Sequence, residues 1–116
     1  MKRITEHEKF KGVPGVYCLG IGNYTWLYVG KAQCLYKRVA FHLKRRSDVQ
    51  EVLCFDYSNE LEGLSLREAN SYLSWLEANI IEMADPIENI QRPKPDPFKL
   101  PFKVLGRLIN KLPDVG

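Results

Sequence analysis

The chain is poor in the residues that hold metals or build covalent frameworks. It has three cysteines, Cys18, Cys34 and Cys54, and two histidines, His7 and His42, all widely spaced. No CxxC pair or Cys/His cluster occurs, so a structural zinc site or disulfide framework is not expected, and the thiols read as reduced and mostly buried. Long apolar runs are also missing, which excludes a transmembrane helix. The charged start, Met1 to Lys9, lacks the apolar core of a secretory signal, so the expected compartment is the cytosol, with no membrane partner. With 116 residues the chain is too short for a TIM barrel or a full dinucleotide fold. A composition of 45% hydrophobic and 27% charged residues nevertheless supports one ordered core, so the choice lies between a small enzyme and a binding module.

Charge is unevenly distributed although the net value is only +3. Residues 31–46 carry six bases, Lys31, Lys37, Arg38, Lys44, Arg45 and Arg46, and no acid, whereas residues 47–90 carry ten acids and one base. A base-only block is either a polyanion contact or a solvated helix face. Residues 91–116 are basic again, with six bases against two acids.

Val16-Tyr17-Cys18-Leu19 and Trp26-Leu27-Tyr28-Val29 are rich in strand formers and flank a Gly22-Asn23 turn signal, which predicts a hairpin over 14–30. A turn at Gly22-Asn23 places Tyr17 directly opposite Tyr28 on one face. Leu35, Val39 and Leu43, with Phe41 beside them, predict a helix over 33–46, with Arg38, His42 and Arg45 along another stripe. Residues 51–57 read as a third strand and 58–64 as a loop. Ser65-Leu66-Arg67-Glu68 is a capping box that opens a long helix, with Leu66, Ala69, Leu73, Leu76, Ile80 and Ala84 toward the core and Pro86 as its stop. The expected fold class is α/β: a small three-stranded, mainly antiparallel sheet flanked by helices, order β-β-α-β-α. A proline-rich connector and a C-terminal amphipathic helix over 102–112 follow, with Phe102, Leu105, Leu108, Ile109 and Leu112 as its docking face. The expected division is 1–91 for the main domain and 92–116 for connector and tail.

Gly15-Val16-Tyr17, Tyr28-Val29-Gly30-Lys31, Leu35 and Arg38 together resemble the GIY-YIG endonuclease motif, with valine for isoleucine in both triplets. Leu76-Glu77-Ala78-Asn79 and Pro86-Ile87-Glu88-Asn89 resemble that family's helix glutamate and downstream asparagine, so the likeness spans residues 12–90. Tyr28 to Ala32 with the following Leu35 and Arg38 is similar to the N-terminal incision domain of the bacterial excinuclease, and His42 to the histidine of phage homing endonucleases. The resemblance implies a metal-dependent hydrolase that cuts DNA, with RNA left open, using Mg²⁺ or Mn²⁺. The implied catalytic set is Tyr17, Tyr28, Arg38, His42 and Glu77, with Glu77 also the metal ligand. Lys31, Lys37, Arg45, Arg46 and Asn89 are the expected substrate-binding residues, and DNA repair is one of several pathways open to it.

The residue types have readings of their own. Glu77, at the edge of an apolar helix stripe, is ion-paired, solvated or cation-binding. The two tyrosines are either a packed cross-strand pair or phenols serving chemistry, Tyr17 as proton acceptor and Tyr28 as orienter. Arg38 has the planar fork that clamps phosphate. His42 is a support for Arg38, a proton relay or a solvated histidine. Asn89 is a turn residue or a tie between the backbone and the Glu77 region. Rival readings are a non-catalytic nucleic-acid-binding module and a nuclease subunit that a partner targets through the tail; the tail is expected to dock on its own domain, with docking on a second copy, as a homodimer, the alternative.

Overall fold

Two strand-forming runs joined by a tight turn, and a third arriving after a helix, build the sheet found in the computed structural model, which describes residues 9–106. β1 (Gly15–Gly22), β2 (Thr25–Ala32) and β3 (Glu51–Asp56) are antiparallel in the order β2-β1-β3. β1 is central, and its residues 15–20 are all buried. Alternation sends Tyr17 and Leu19 to one face and Val16 and Cys18 to the other. The first face packs under α1 (Leu35–Arg45), where Leu35 and Val39 are buried. The second packs under α3 (Leu66–Ala84) through Ala69, Leu73, Leu76 and Ile80. Helices therefore cover both sides of the sheet, and each supplies one half of the core.

The hairpin turns one residue later than its sequence suggests. Asn23 and Tyr24, with φ of 53° and 57°, are its central residues, and Gly22 pairs with Thr25. Two successive positive φ values define a turn whose twist matches that of the strands, and asparagine tolerates that region well. Tyr17 therefore faces Gly30, and Tyr28 faces Leu19. The pairing has shifted by two residues, so both tyrosines keep the shared face. Phe41 does not join the α1 core stripe. It is exposed, and the Arg45 guanidinium lies 3.8 Å from its ring centre.

α3 begins as the capping box requires: the Ser65 side chain accepts from the Glu68 amide and Glu68 accepts from the Ser65 amide. Leu66, expected in the core, is 70% exposed; Tyr72, Ala78 and Ile81 are buried instead. The helix ends at Asp85 in the left-handed region (φ 48°), followed by buried Pro86. The stretch expected as a loop contains the short helix α2 (Ser58–Leu61).

Residues 92–106 lie along the outside of α3, passing a 3₁₀ turn (Pro97–Lys99) into α4 (Phe102–Leu105). The docking face differs from the amphipathic reading. Val104 is fully buried in the α3 half of the core, whereas Phe102 is 91% exposed. A single turn offers one inward position, and Val104 takes it. Leu108, Ile109 and Leu112 lie outside the described residues. No described helix is long and apolar enough to cross a membrane.

Candidate active site

Tyr17 is buried, and its hydroxyl lies 2.9 Å from Nε2 of His42. The Tyr28 ring centre is 6.2 Å from that of Tyr17 and 5.4 Å from that of His42, so the three rings form one cluster under α1. Gly30 makes the cluster possible. A Cβ there would sit on the Tyr17 hydroxyl and 2.5 Å from Cζ, so the phenol lies directly over the glycine backbone. The backbone of the second motif triplet is thus the bed of the first triplet's tyrosine.

The electrostatics favour the uncharged form of both partners. Burial, then the charge of Arg38 and the more distant Arg46 and Arg45, hold His42 below its ordinary value, against a small opposing pull from Glu88. His42 is therefore neutral at pH 7, and in the tautomer that leaves Nε2 unprotonated it accepts from the Tyr17 hydroxyl. Burial pushes the Tyr17 phenol well above its ordinary range, with Tyr28 and Glu77 adding to the rise and Arg38 opposing it. A free Tyr17 phenolate is disfavoured. The contact His42 makes is with Tyr17 rather than with Arg38.

Glu77 comes from α3 on the opposite side of β2. Its side chain is 17% exposed, and Nζ of the more open Lys31 lies 3.8 Å from Oε1. Burial raises its carboxyl above the ordinary range, while the charge and backbone amide of Lys31 oppose the rise. Glu77 borders an open cleft of about 430 Å³ that Tyr28, Lys31, Glu88 and Asn89 also line. A half-desolvated carboxylate whose nearest counter-charge is one loose ammonium suits a hard divalent cation. Among the described residues no cluster of three His, Cys, Asp or Glu side chains lies ready to enclose a metal, so water and phosphate oxygens would have to complete the coordination.

Asn89 sits on the outer edge of β2. Its Oδ1 accepts from the Val29 amide and its Nδ2 donates to the Val29 carbonyl, both at 2.9 Å, as a neighbouring strand would. The amides of Ile87 and Glu88 donate to the Trp26 and Leu27 carbonyls, so the segment after α3 closes the sheet edge beside the cleft.

The basic helix divides its side chains among different tasks. Arg38 and Lys37 are exposed and line a second open cleft with Ala32 and Phe41. Arg45 is stacked on Phe41 and donates to its carbonyl. Arg46 is turned away from solvent anions: it donates to both carboxylate oxygens of Glu88, at 2.8 and 2.6 Å, and to Asp48. Glu88 was not singled out from the sequence. Its bond to a residue 42 positions away has no local signal, and only its place beside Asn89 in the Pro-Ile-Glu-Asn run marks it.

No family model matches the chain, and no curated protein matches it. Two solved structures do, both of the GIY-YIG N-terminal endonuclease domain of UvrC from Thermotoga maritima. One is an asparagine-to-alanine mutant at 21% identity and the other a tyrosine-to-phenylalanine mutant at 22%, each bound to its catalytic divalent cation. Each match covers 75% of this chain and 93% of the other, with a TM-score of 0.54. The three-stranded antiparallel sheet with helices on both faces is the fold of the GIY-YIG endonuclease domain.

Proposed function

We propose that this chain is a metal-dependent endonuclease that hydrolyses phosphodiester bonds of DNA, with Mg²⁺ or Mn²⁺ as its ion. The observation that carries the reading is the Tyr17–His42 hydrogen bond, set beside Tyr28 and within reach of the charges of Arg38 and, from the other side of β2, Glu77. Hydrolysis needs a base for water, charge on the phosphate and an acid for the leaving oxygen. The Tyr17 hydroxyl takes the proton of the attacking water while its own proton passes to Nε2 of His42. Protonated His42 is then the acid available to the leaving oxygen. Tyr28 orients the water or phosphate from the cleft side. Arg38 clamps the phosphate with its planar fork and holds the charge that develops there. Glu77 is the ligand for the divalent ion, which when bound supplies positive charge to the phosphate oxygens. Lys31 adds charge at the cleft mouth, and Asn89 is a positioning residue that fixes the β2 edge. Lys37 and Arg45 hold the DNA backbone, and Arg46 acts mainly by anchoring Glu88.

Incubation of the purified chain with branched, flapped, nicked and linear DNAs in Mg²⁺, Mn²⁺ or chelator tests the proposal. Divalent-dependent cleavage of at least one DNA is the expected result. Binding without cleavage under every condition would make the chain a nucleic-acid-binding module instead.

A further inference from the structure

α3 has a polar side that neither the core nor the Tyr17 cluster uses. Arg67, Asn70, Ser74 and Glu77 follow one another at spacings of three, four and three residues, which places them along one side of the helix. The rise from Arg67 to Glu77 is about 15 Å. Beside this side runs the segment 93–100, leaving an open groove of about 510 Å³. Ser74 and Pro93 line both this groove and the Glu77 cleft, so the two adjoin.

The groove has two chemistries. Trp75, Pro95 and Leu100 give it apolar lining, while Arg67, Lys94 and Lys99 bring three positive charges. None of the three bases is held in an ion pair among the described residues. The groove's acid, Asp96, is occupied locally, accepting from the Phe98 amide at 3.0 Å. Duplex DNA presents phosphates on its outside and keeps its bases stacked within, so it has no use for an apolar, aromatic-bearing wall. A single strand offers phosphates to the bases and an unstacked base or sugar face to the wall.

We propose that this groove holds a single-stranded arm of the DNA whose scissile phosphate lies in the Glu77 cleft, so that the chain prefers DNA with an unpaired arm next to the cut. The proposal rests on the nuclease reading for the identity of the strand, but its binding test does not depend on cleavage. The full chain is titrated, in chelator, into a labelled blunt duplex and into the same duplex carrying a single-stranded arm. For the wild type, the arm tightens binding about tenfold or more, the effect of one stacked base. The triple variant Arg67→Ala/Lys94→Ala/Lys99→Ala loses that gain and leaves the blunt duplex within about twofold, with a salt slope on armed DNA lower by about two. Lys99→Glu, on an exposed turn, repeats the comparison if the triple variant melts early. Equal binding of armed and blunt DNA by the wild type, or equal weakening of both in the variants, overturns the proposal. So does a wild-type dimer that the triple variant dissolves, since a second copy would then fill the groove. Cleavage of the same DNAs in Mg²⁺ or Mn²⁺ is read separately. An arm effect without cleavage keeps the groove and removes the nuclease reading, and cleavage without an arm effect does the reverse.

Discussion

Tyr17 and Tyr57 are both buried, one on each side of the sheet, and the two are in different chemical situations. Tyr57, under α3, has a hydroxyl with no hydrogen-bond partner among the described residues; burial pushes its phenol up, and Glu60 and Tyr72 push it further. Tyr17, under α1, is also pushed up by burial, but Arg38 pulls the other way and its hydroxyl has His42 2.9 Å away. Burial alone makes a phenol a poorer acid, less ready to release its own proton. What separates the two is an acceptor for the departing proton and a cation for the developing charge, and Tyr17 has both. The proposed mechanism rests on that difference, with Glu77 reaching the same region from the other side of β2.

The largest effect is expected where this arrangement depends on a single atom group. Glu77→Ala should lower divalent-dependent cleavage by about 10³-fold or more while leaving DNA affinity and the melting curve nearly unchanged. A variant that cuts at the wild-type rate would reduce Glu77 to the partner of Lys31. Next comes the cation beside Tyr17. Arg38→Ala should lower kcat by about 10²-fold with little change in Kd, because its contact strengthens as phosphate charge develops. Lys37→Ala and Arg45→Ala should instead weaken binding and flatten its salt dependence, and matching profiles for all three would end the distinction.

A smaller effect is set by pH. His42 must be neutral to accept from Tyr17, and burial with the flanking arginines holds it below its ordinary 6.5. Cleavage should therefore hold as pH falls through 6.5 and be lost only below it, as Nε2 takes a proton before Tyr17 can donate. The same shift carries a stability term of like sign. The unfolded chain binds this proton at higher pH than the folded one, so stability falls as pH drops below 6.5 toward the folded value. A single-turnover rate that rose in acid would mean the protonated ring is the active form. The mildest perturbation is Gly30→Ala. Its Cβ meets the Tyr17 ring, so it should cost about 1–3 kcal/mol by thermal melting and slow cleavage by moving the phenol. An unchanged melting temperature would show that the ring has room to shift.

Much of the α1-side arrangement is legible in the sequence, because strand alternation has period two. A turn placed one residue early moves the pairing by two and leaves Tyr17 and Tyr28 on the same face, although neither sits where strict opposition would put it. The capping box at Ser65 fixes the start of α3 locally, and so fixes the phase that brings Glu77 to the helix edge. Contacts set by packing between elements are not legible. The Arg38/His42/Arg45 stripe is visible, but which member meets Tyr17 depends on how α1 lies across the sheet. The Arg46–Glu88 clamp joins residues far apart in the chain, and Val104 turns inward where amphipathic spacing favoured Phe102, since one turn is too short for its period to decide.

The most direct test of the reactive-face account is single-turnover cleavage, with protein in excess over a DNA the wild type cuts, by Tyr17→Phe, Tyr28→Phe and Tyr57→Phe. All three keep their rings, so each variant loses one hydroxyl and little packing. Tyr17→Phe should lose about 10²-fold or more, the usual worth of a positioned proton acceptor, and Tyr28→Phe clearly less. Tyr57→Phe should cut at the wild-type rate and melt no lower, because its hydroxyl is buried with no hydrogen-bond partner among the described residues. Wild-type cleavage by Tyr17→Phe, or an equal loss in Tyr57→Phe, would contradict the account.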